Sequence, residues 1–132
     1  MSNSLNFSGK TALIMGASRG IGLATAELFS ELGANVVLVA RSTDSLKKAT
    51  QKIANKGGTA FAFSCDVSNY SSVNAAVEYC LSQTGQIDFL INNAGVIDPL
   101  SYLIDSDPEE WALAADINFK GVFYCMRASL PH

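Results

Sequence analysis

Three glycines near the amino terminus could bring bare backbone against a phosphate group. They are Gly16, Gly20 and Gly22, in the stretch LIMGASRGIG at residues 13–22, between an apolar run and a helical pattern. Glycine has no Cβ, so backbone can approach a ligand closely, and the first turn of a helix attracts anions. The spacing G-x-x-x-G-x-G differs from the general dinucleotide fingerprint G-x-G-x-x-G. The stretch predicts a phosphate-binding loop, and a tight strand-to-helix turn without a ligand is the alternative.

An alternation of apolar runs and helical patterns must position this loop. Strands are predicted at residues 11–15, 36–40, 59–64 and 87–91, and a helical pattern follows each of them. The last helix begins with Asp107 as its cap and Pro108 at its first position, and it runs towards Leu130. Apolar strands that alternate with helices predict an α/β fold with a doubly wound parallel sheet. In such a fold the loop lies at the carboxyl ends of the strands, where ligands bind.

The composition limits the classes of protein to which the chain can belong. Its 132 residues suffice for one domain, predicted to span residues 1–132. The net charge of −3 argues against nucleic acid and anionic membranes as partners. The first residues lack the features of a secretory signal, and no apolar stretch reaches the roughly 18 residues of a membrane span.

Cysteine and histidine usage narrows the chemistry further. Cys65, Cys80 and Cys125 are odd in number and show no metal-ligand spacing, which favours free thiols and a cytoplasmic location. The single histidine is His132, so a histidine-based metal site or catalytic triad within the chain is not expected. No metal ligand set is predicted.

Four short stretches together resemble the classical short-chain dehydrogenase/reductase family. GASRGIG at residues 16–22 is similar to its cofactor loop, although Met15 stands where the family usually has threonine. CDVS, NNAG and DIN follow in the order and spacing of the family, at residues 65–68, 92–95 and 116–118. The resemblance runs from Gly9 to His132 and covers the amino-terminal half of the family's fold. It implies a Rossmann-type sheet truncated after the fourth strand and the helix that follows, and hydride transfer between a nicotinamide and an alcohol or carbonyl substrate.

The resemblance also implies which residues bind the cofactor. The Asp66 carboxylate would accept a bond from the adenine amino group and the Val67 N–H would bond the ring, whereas a plain loop or cap role for Asp66 is the alternative. Asn93, Ala94 and Gly95 would line the floor under the cofactor ribose, although alone they would indicate only a turn. The complete predicted set is Gly16, Ser18, Arg19, Gly20, Ile21, Gly22, Arg41, Asp66, Val67, Asn93, Ala94 and Gly95.

The end of the second strand indicates which dinucleotide is bound. Folds that prefer NAD place an acidic residue there, whereas this chain has Ala40 and Arg41. A guanidinium can grip a 2′-phosphate with two charge-assisted hydrogen bonds, and Arg19 could close on the same group. We therefore expect NADP in preference to NAD. Two ordinary solvated arginines are the alternative.

Two residues of the last helix are poor helix formers. Asn118 and Gly121 lie in its middle, so another interaction must compensate for them. In the family an asparagine here lies at a kink and holds a water in the proton relay, which makes Asn118 the one predicted catalytic residue. The alternative is a solvent-facing asparagine, with Gly121 allowing close helix packing.

The remaining catalytic residues of the family are not found in these 132 residues. The family uses a serine after its fifth strand and a tyrosine followed four residues later by lysine, and no tyrosine here has such a lysine. Three hypotheses remain: the cofactor-binding half of an NADP-dependent oxidoreductase, a non-catalytic NADP-binding module, and an interaction protein that assembles with a longer relative. The family also forms its dimers through the last helix, so a homo-oligomer is expected.

Overall fold

The computed structural model describes residues 5–132, in which four parallel strands form one sheet. The strands are β1 (Thr11–Met15), β2 (Asn35–Ala40), β3 (Ala60–Ser64) and β4 (Phe89–Asn92). Their order across the sheet is β3-β2-β1-β4, so the chain winds outwards from β1 in both directions. The predicted α/β fold with a doubly wound parallel sheet is confirmed.

A helix follows each of the four strands, as predicted, and the last helix contains a π-helical turn. They are α1 (Gly20–Glu31), α2 (Thr43–Asn55), α3 (Tyr70–Thr84), α4 (Pro108–Ala115) and α5 (Gly121–Ser129). The Asp107 side chain caps α4 by accepting a hydrogen bond from the Glu109 N–H at 2.8 Å, as its sequence predicts. The last helix runs without a break from Pro108 to Ser129, as predicted, with a π-helical turn, Asp116–Lys120, between α4 and α5.

The sheet is covered by helices on both faces. Leu13 and Val37 pack with residues of α3 and α5, whereas Ile14 and Leu38 pack with residues of α1 and α2. All four side chains are completely buried, as expected for the central strands of a parallel sheet. Strand β4 lies at one edge, and its apolar side chains are only half-buried.

Two features are absent from the part of the chain that the structure describes. Within residues 5–132, no helix is long and apolar enough to cross a membrane. The same residues contain no group of three histidine, cysteine or acidic side chains that could hold a metal ion.

The three cysteines are free and buried, and burial raises their pKa values, in the case of Cys125 to about 12. These thiols therefore stay protonated at neutral pH and are poor nucleophiles.

The Asp88 carboxylate ties the beginning of β1 to the segment before β4. It accepts hydrogen bonds from the Thr11 N–H at 2.8 Å and from the Gln86 amide at 2.6 Å, and the Lys10 ammonium lies 3.5 Å away. Burial alone raises the pKa of Asp88, but these hydrogen bonds and the lysine charge outweigh it, so the pKa lies below its ordinary value. The ionised form is therefore the one that stabilises the fold.

We expect Asp88→Ala to lower the free energy of unfolding by about 1–2 kcal/mol at pH 7, because the Thr11 N–H loses a charged acceptor. A carboxyl whose pKa is depressed by folding contributes its stability above its unfolded pKa of about 3.9 and loses it as pH falls through the folded value. The difference between variant and wild type should therefore shrink below pH 3–4. Urea unfolding at pH 7 and pH 3 measures it, with Asp105→Ala as the surface control. An equal loss at both pH values would contradict this role.

Candidate cofactor site

A cleft of about 450 Å³ opens at the carboxyl ends of all four strands. Of the predicted cofactor residues only Gly22 is not part of its wall. The predicted residues that line the cleft are Gly16, Ser18, Arg19, Gly20, Ile21, Arg41, Asp66, Val67, Asn93, Ala94 and Gly95. Residues far apart in sequence therefore meet at the edge of the sheet where α/β folds bind their ligands.

The glycine loop turns sharply because two of its residues adopt left-handed backbone conformations. Gly16 has a φ of +71°, and a Cβ there would lie 2.8 Å from the Ala94 Cα. Gly20 has a φ of +59°, and a Cβ there would meet nothing within 4 Å because its α-carbon faces open space. A side chain at position 20 would both strain the backbone and occupy this space.

Gly22 was predicted to contact the cofactor, but in the structure it packs against the glycine loop itself. A Cβ at this position would collide with the Gly16 carbonyl oxygen and would lie 2.6 Å from the Asn93 side-chain nitrogen. Gly22 is buried behind the loop, so its contact is with the loop's own backbone. Gly22 therefore does not face a ligand directly. It allows the glycine loop to fold back on the first turn of α1.

Hydrogen bonds from two strands hold this loop in place. The Gly16 N–H donates to the Val39 carbonyl at 2.8 Å, and the Asn93 side-chain amide donates to the Gly16 carbonyl at 2.9 Å. Helix α1 then begins after Arg19, whose side chain makes no capping hydrogen bond. The first amides of a helix have no partner within it, so those of α1 remain suited to an anion.

Arg41 and Asp66 lie at the other end of the cleft, near β2 and β3. The Ser64 hydroxyl donates to the Arg41 carbonyl at 2.9 Å and fixes the backbone after β2. One Asp66 oxygen accepts the Ser68 hydroxyl at 2.7 Å and the Ser68 N–H at 3.0 Å. These bonds, and then the charge of Arg41, hold the pKa of Asp66 below its usual value. Asp66 thus makes the loop contacts that its alternative role predicts, and its predicted contact with the adenine stays a prediction.

Asn118 reaches across to the loop that follows β4. Its side-chain oxygen accepts the Val96 N–H at 2.8 Å, and its side-chain nitrogen donates to the Val96 carbonyl at 2.6 Å. This pair of bonds compensates for a poor helix former in the π-helical turn. A Cβ on Gly121 would lie 3.0 Å from the Val67 Cγ2, so this glycine does allow close packing. Asn118 itself is not in the cleft wall, and its predicted catalytic role stays a prediction.

Several residues of the cleft wall were not among the predicted site residues. They are Val39, Ala40, Ser42, Ser45, Cys65, Val96 and Ile117. Ser42 had a usable signal, because serine is a preferred cap residue and marks the start of a helix. Val96 and Ile117 had none, since apolar residues in such positions indicate only a core.

The sequence model of the short chain dehydrogenase family matches residues 10–132. An oxidoreductase of Staphylococcus saprophyticus is 42% identical over 127 residues, which cover 96% of this chain and 50% of that protein. The 3-oxoacyl-(acyl-carrier-protein) reductase of Staphylococcus aureus is 37% identical over 92% of this chain and 50% of its own length.

Solved structures agree in fold. A metagenomic short-chain oxidoreductase in complex with NADP superposes with a TM-score of 0.90 and 38% identity, over 95% of this chain and 57% of its own. An NAD⁺-bound xylitol dehydrogenase superposes with a TM-score of 0.89 and 34% identity, over 92% of this chain and 47% of its own. The chain thus spans about half the length of the relatives that it matches. By sequence and by fold, this chain belongs to the short-chain dehydrogenase family.

Proposed function

We propose that the chain is the NADP-binding part of an oxidoreductase that acts on a small alcohol or carbonyl compound. The cleft at the carboxyl ends of the strands carries this proposal, because it gathers the glycine loop, two arginines and Asp66. When bound, the nicotinamide supplies or accepts the hydride.

The residues present fit a dinucleotide along the whole cleft. The first turn of α1, with open space above Gly20, would hold the pyrophosphate. Asp66 and Val67 would contact the adenine, and Asn93 to Gly95 would lie under the ribose next to the nicotinamide. Asn93 would also connect this ribose floor to the glycine loop, because its side-chain amide donates to the Gly16 carbonyl.

NADP is proposed in preference to NAD. The similar structures include both NADP and NAD complexes, so they support a nicotinamide cofactor of either kind. The preference rests on Arg19 and Arg41, which line the cleft where an acidic residue would select the ribose hydroxyl of NAD. Charge-assisted bonds from a guanidinium to a phosphate are stronger than bonds between neutral groups.

Proton transfer is the part of the reaction that these residues do not explain. The family uses a tyrosine followed four residues later by lysine for this step, and no tyrosine in these 132 residues has such a lysine. Isothermal titration with NADP⁺ and NAD⁺, followed by an assay of NADPH oxidation with ketones and aldehydes, tests the proposal. We expect the 132-residue chain to bind NADP⁺ without turnover. Absence of binding to either dinucleotide would contradict the proposal, and turnover would show that the proton donor lies within these residues.

We propose that Asn118 acts on the cofactor by fixing the loop after β4. In Asn118→Ala, Val96 loses two hydrogen bonds, and we expect about 3- to 10-fold weaker NADP⁺ binding and a loss of about 1–2 kcal/mol in unfolding free energy. The matched control is Asn74→Ala, because the Asn74 side chain donates a hydrogen bond to Glu78 on the surface of α3, far from the cleft wall. Unchanged binding and stability in Asn118→Ala would contradict the positioning role.

A second candidate function is assembly with another chain, which the exposed apolar residues favour. Trp111, Phe119 and Phe123 are 60%, 80% and 56% exposed on the surface formed by α4, the π-helical turn and α5. We propose that two copies of the chain associate through this surface. The free cysteines separately favour a cytoplasmic location. Analytical ultracentrifugation should show dimers or larger species, and Phe119→Glu with Phe123→Glu should shift them towards monomer. A wild-type monomer throughout the micromolar range would contradict this.

A further inference from the structure

Two serines at the start of α2 share one wall of the cleft with Arg41. Ser42 caps the helix, because its hydroxyl oxygen accepts the Ser45 N–H at 3.3 Å. The same Ser42 hydroxyl donates its proton to the Ser45 hydroxyl oxygen at 3.0 Å. A serine hydroxyl has one proton, so the proton of Ser42 is already used within the wall.

The Ser45 hydroxyl therefore keeps its own proton for another acceptor. Among residues 5–132 no acceptor for it is found, although the side chain is half-buried in the cleft wall. Accepting a bond from Ser42 also polarises this hydroxyl and makes it a better donor. A donor in this state, on the same wall as Arg41 and facing the space that Arg19 also lines, fits an anionic oxygen.

We infer that Ser45 donates a hydrogen bond to the 2′-phosphate of NADP, and that Ser42 orients it. This inference rests on the proposed function, since it names a further residue that separates the two dinucleotides. The ribose hydroxyl of NAD carries no charge at this position, so the bond from Ser45 is worth more to NADP. In this arrangement the Arg41 guanidinium attracts the phosphate by its charge, and the Ser45 hydroxyl orients it through a hydrogen bond.

The test is Ser45→Ala, which leaves the cap intact because Ser42 bonds the backbone N–H of residue 45. Titration calorimetry should show about 3- to 10-fold weaker NADP⁺ binding, and NAD⁺ binding within about twofold of wild type. The matched control is Thr43→Ala, which removes a hydroxyl from the same turn but not from the cleft wall. Thr43→Ala should leave both affinities unchanged.

A second variant is expected to give a larger effect than the loss of one hydroxyl. Ser42→Asp keeps a good helix cap but places a carboxylate beside the proposed phosphate position. We expect at least about 30-fold weaker NADP⁺ binding with NAD⁺ binding retained, since like charges repel at close range. If Ser45→Ala weakens both dinucleotides equally, or neither, the inference is wrong even where Arg41→Ala selectively weakens NADP⁺. Failure of the wild-type chain to bind either dinucleotide would overturn the inference together with the proposed function.

Discussion

Replacing Gly22 with valine is expected to abolish dinucleotide binding and to lower the free energy of unfolding by about 1–3 kcal/mol or more. A Cβ at this position collides with the Gly16 carbonyl oxygen, which is backbone and cannot rotate away. Relief requires the glycine loop to move, and that movement breaks the bond from Asn93 to Gly16. Dinucleotide binding would be lost because the glycine loop moves, since Gly22 itself does not line the cleft.

Urea unfolding and NADP⁺ titration of Gly22→Val measure the two effects separately. Ala24→Val is the matched control, because it adds the same kind of side chain two residues later in α1, on an exposed position. The control should bind NADP⁺ like wild type. If Gly22→Val unfolds at the wild-type urea concentration and binds NADP⁺ normally, the loop at residues 16–22 is not the phosphate cradle.

Arg41→Ala is expected to weaken NADP⁺ binding about 10- to 100-fold and to leave NAD⁺ binding nearly unchanged. A hydrogen bond to a charged group is worth roughly 1.5–3 kcal/mol, and only NADP has the 2′-phosphate. The Ser64 hydroxyl bonds the carbonyl of residue 41, and this bond survives the substitution, so the backbone after β2 should keep its conformation.

The control for Arg41→Ala is Lys48→Ala, which removes a positive charge from α2 outside the cleft. It should weaken NADP⁺ binding at most about twofold at physiological salt, where exposed charges are screened beyond about 8 Å. Calorimetric titration of both variants with both dinucleotides gives the comparison. Equal losses of NADP⁺ and NAD⁺ in Arg41→Ala would show that Arg41 does not recognise the 2′-phosphate.

Local patterns in the sequence were sufficient to place the four strands, with β4 beginning two residues later than predicted, and to place the start of α4. The run at residues 11–15 is apolar without interruption, and β1 has these same bounds and is completely buried. Asp107 and Pro108 begin α4 as predicted, because capping depends on residues only one to three positions apart. The glycine loop was recognisable for the same reason.

Contacts between distant segments were not predictable in this way. The partner of Asn118 is Val96, 22 residues earlier. A valine gives no sign in the sequence that its backbone N–H and carbonyl will both bond a distant side chain. The orientation of Gly22 towards Gly16 likewise depends on how the loop folds back. The π-helical turn was expected only as a kink, because its extra residue per turn leaves no periodic signal in five residues.

A crystal structure of the chain with NADP⁺ tests the central claim most directly. We predict the pyrophosphate against the first turn of α1, the adenine beside Asp66, and the 2′-phosphate between Arg19 and Arg41. The nicotinamide should lie over Asn93 to Gly95. Density for the nucleotide outside this cleft, or in the reverse direction with its nicotinamide at Arg41, would contradict the assignment.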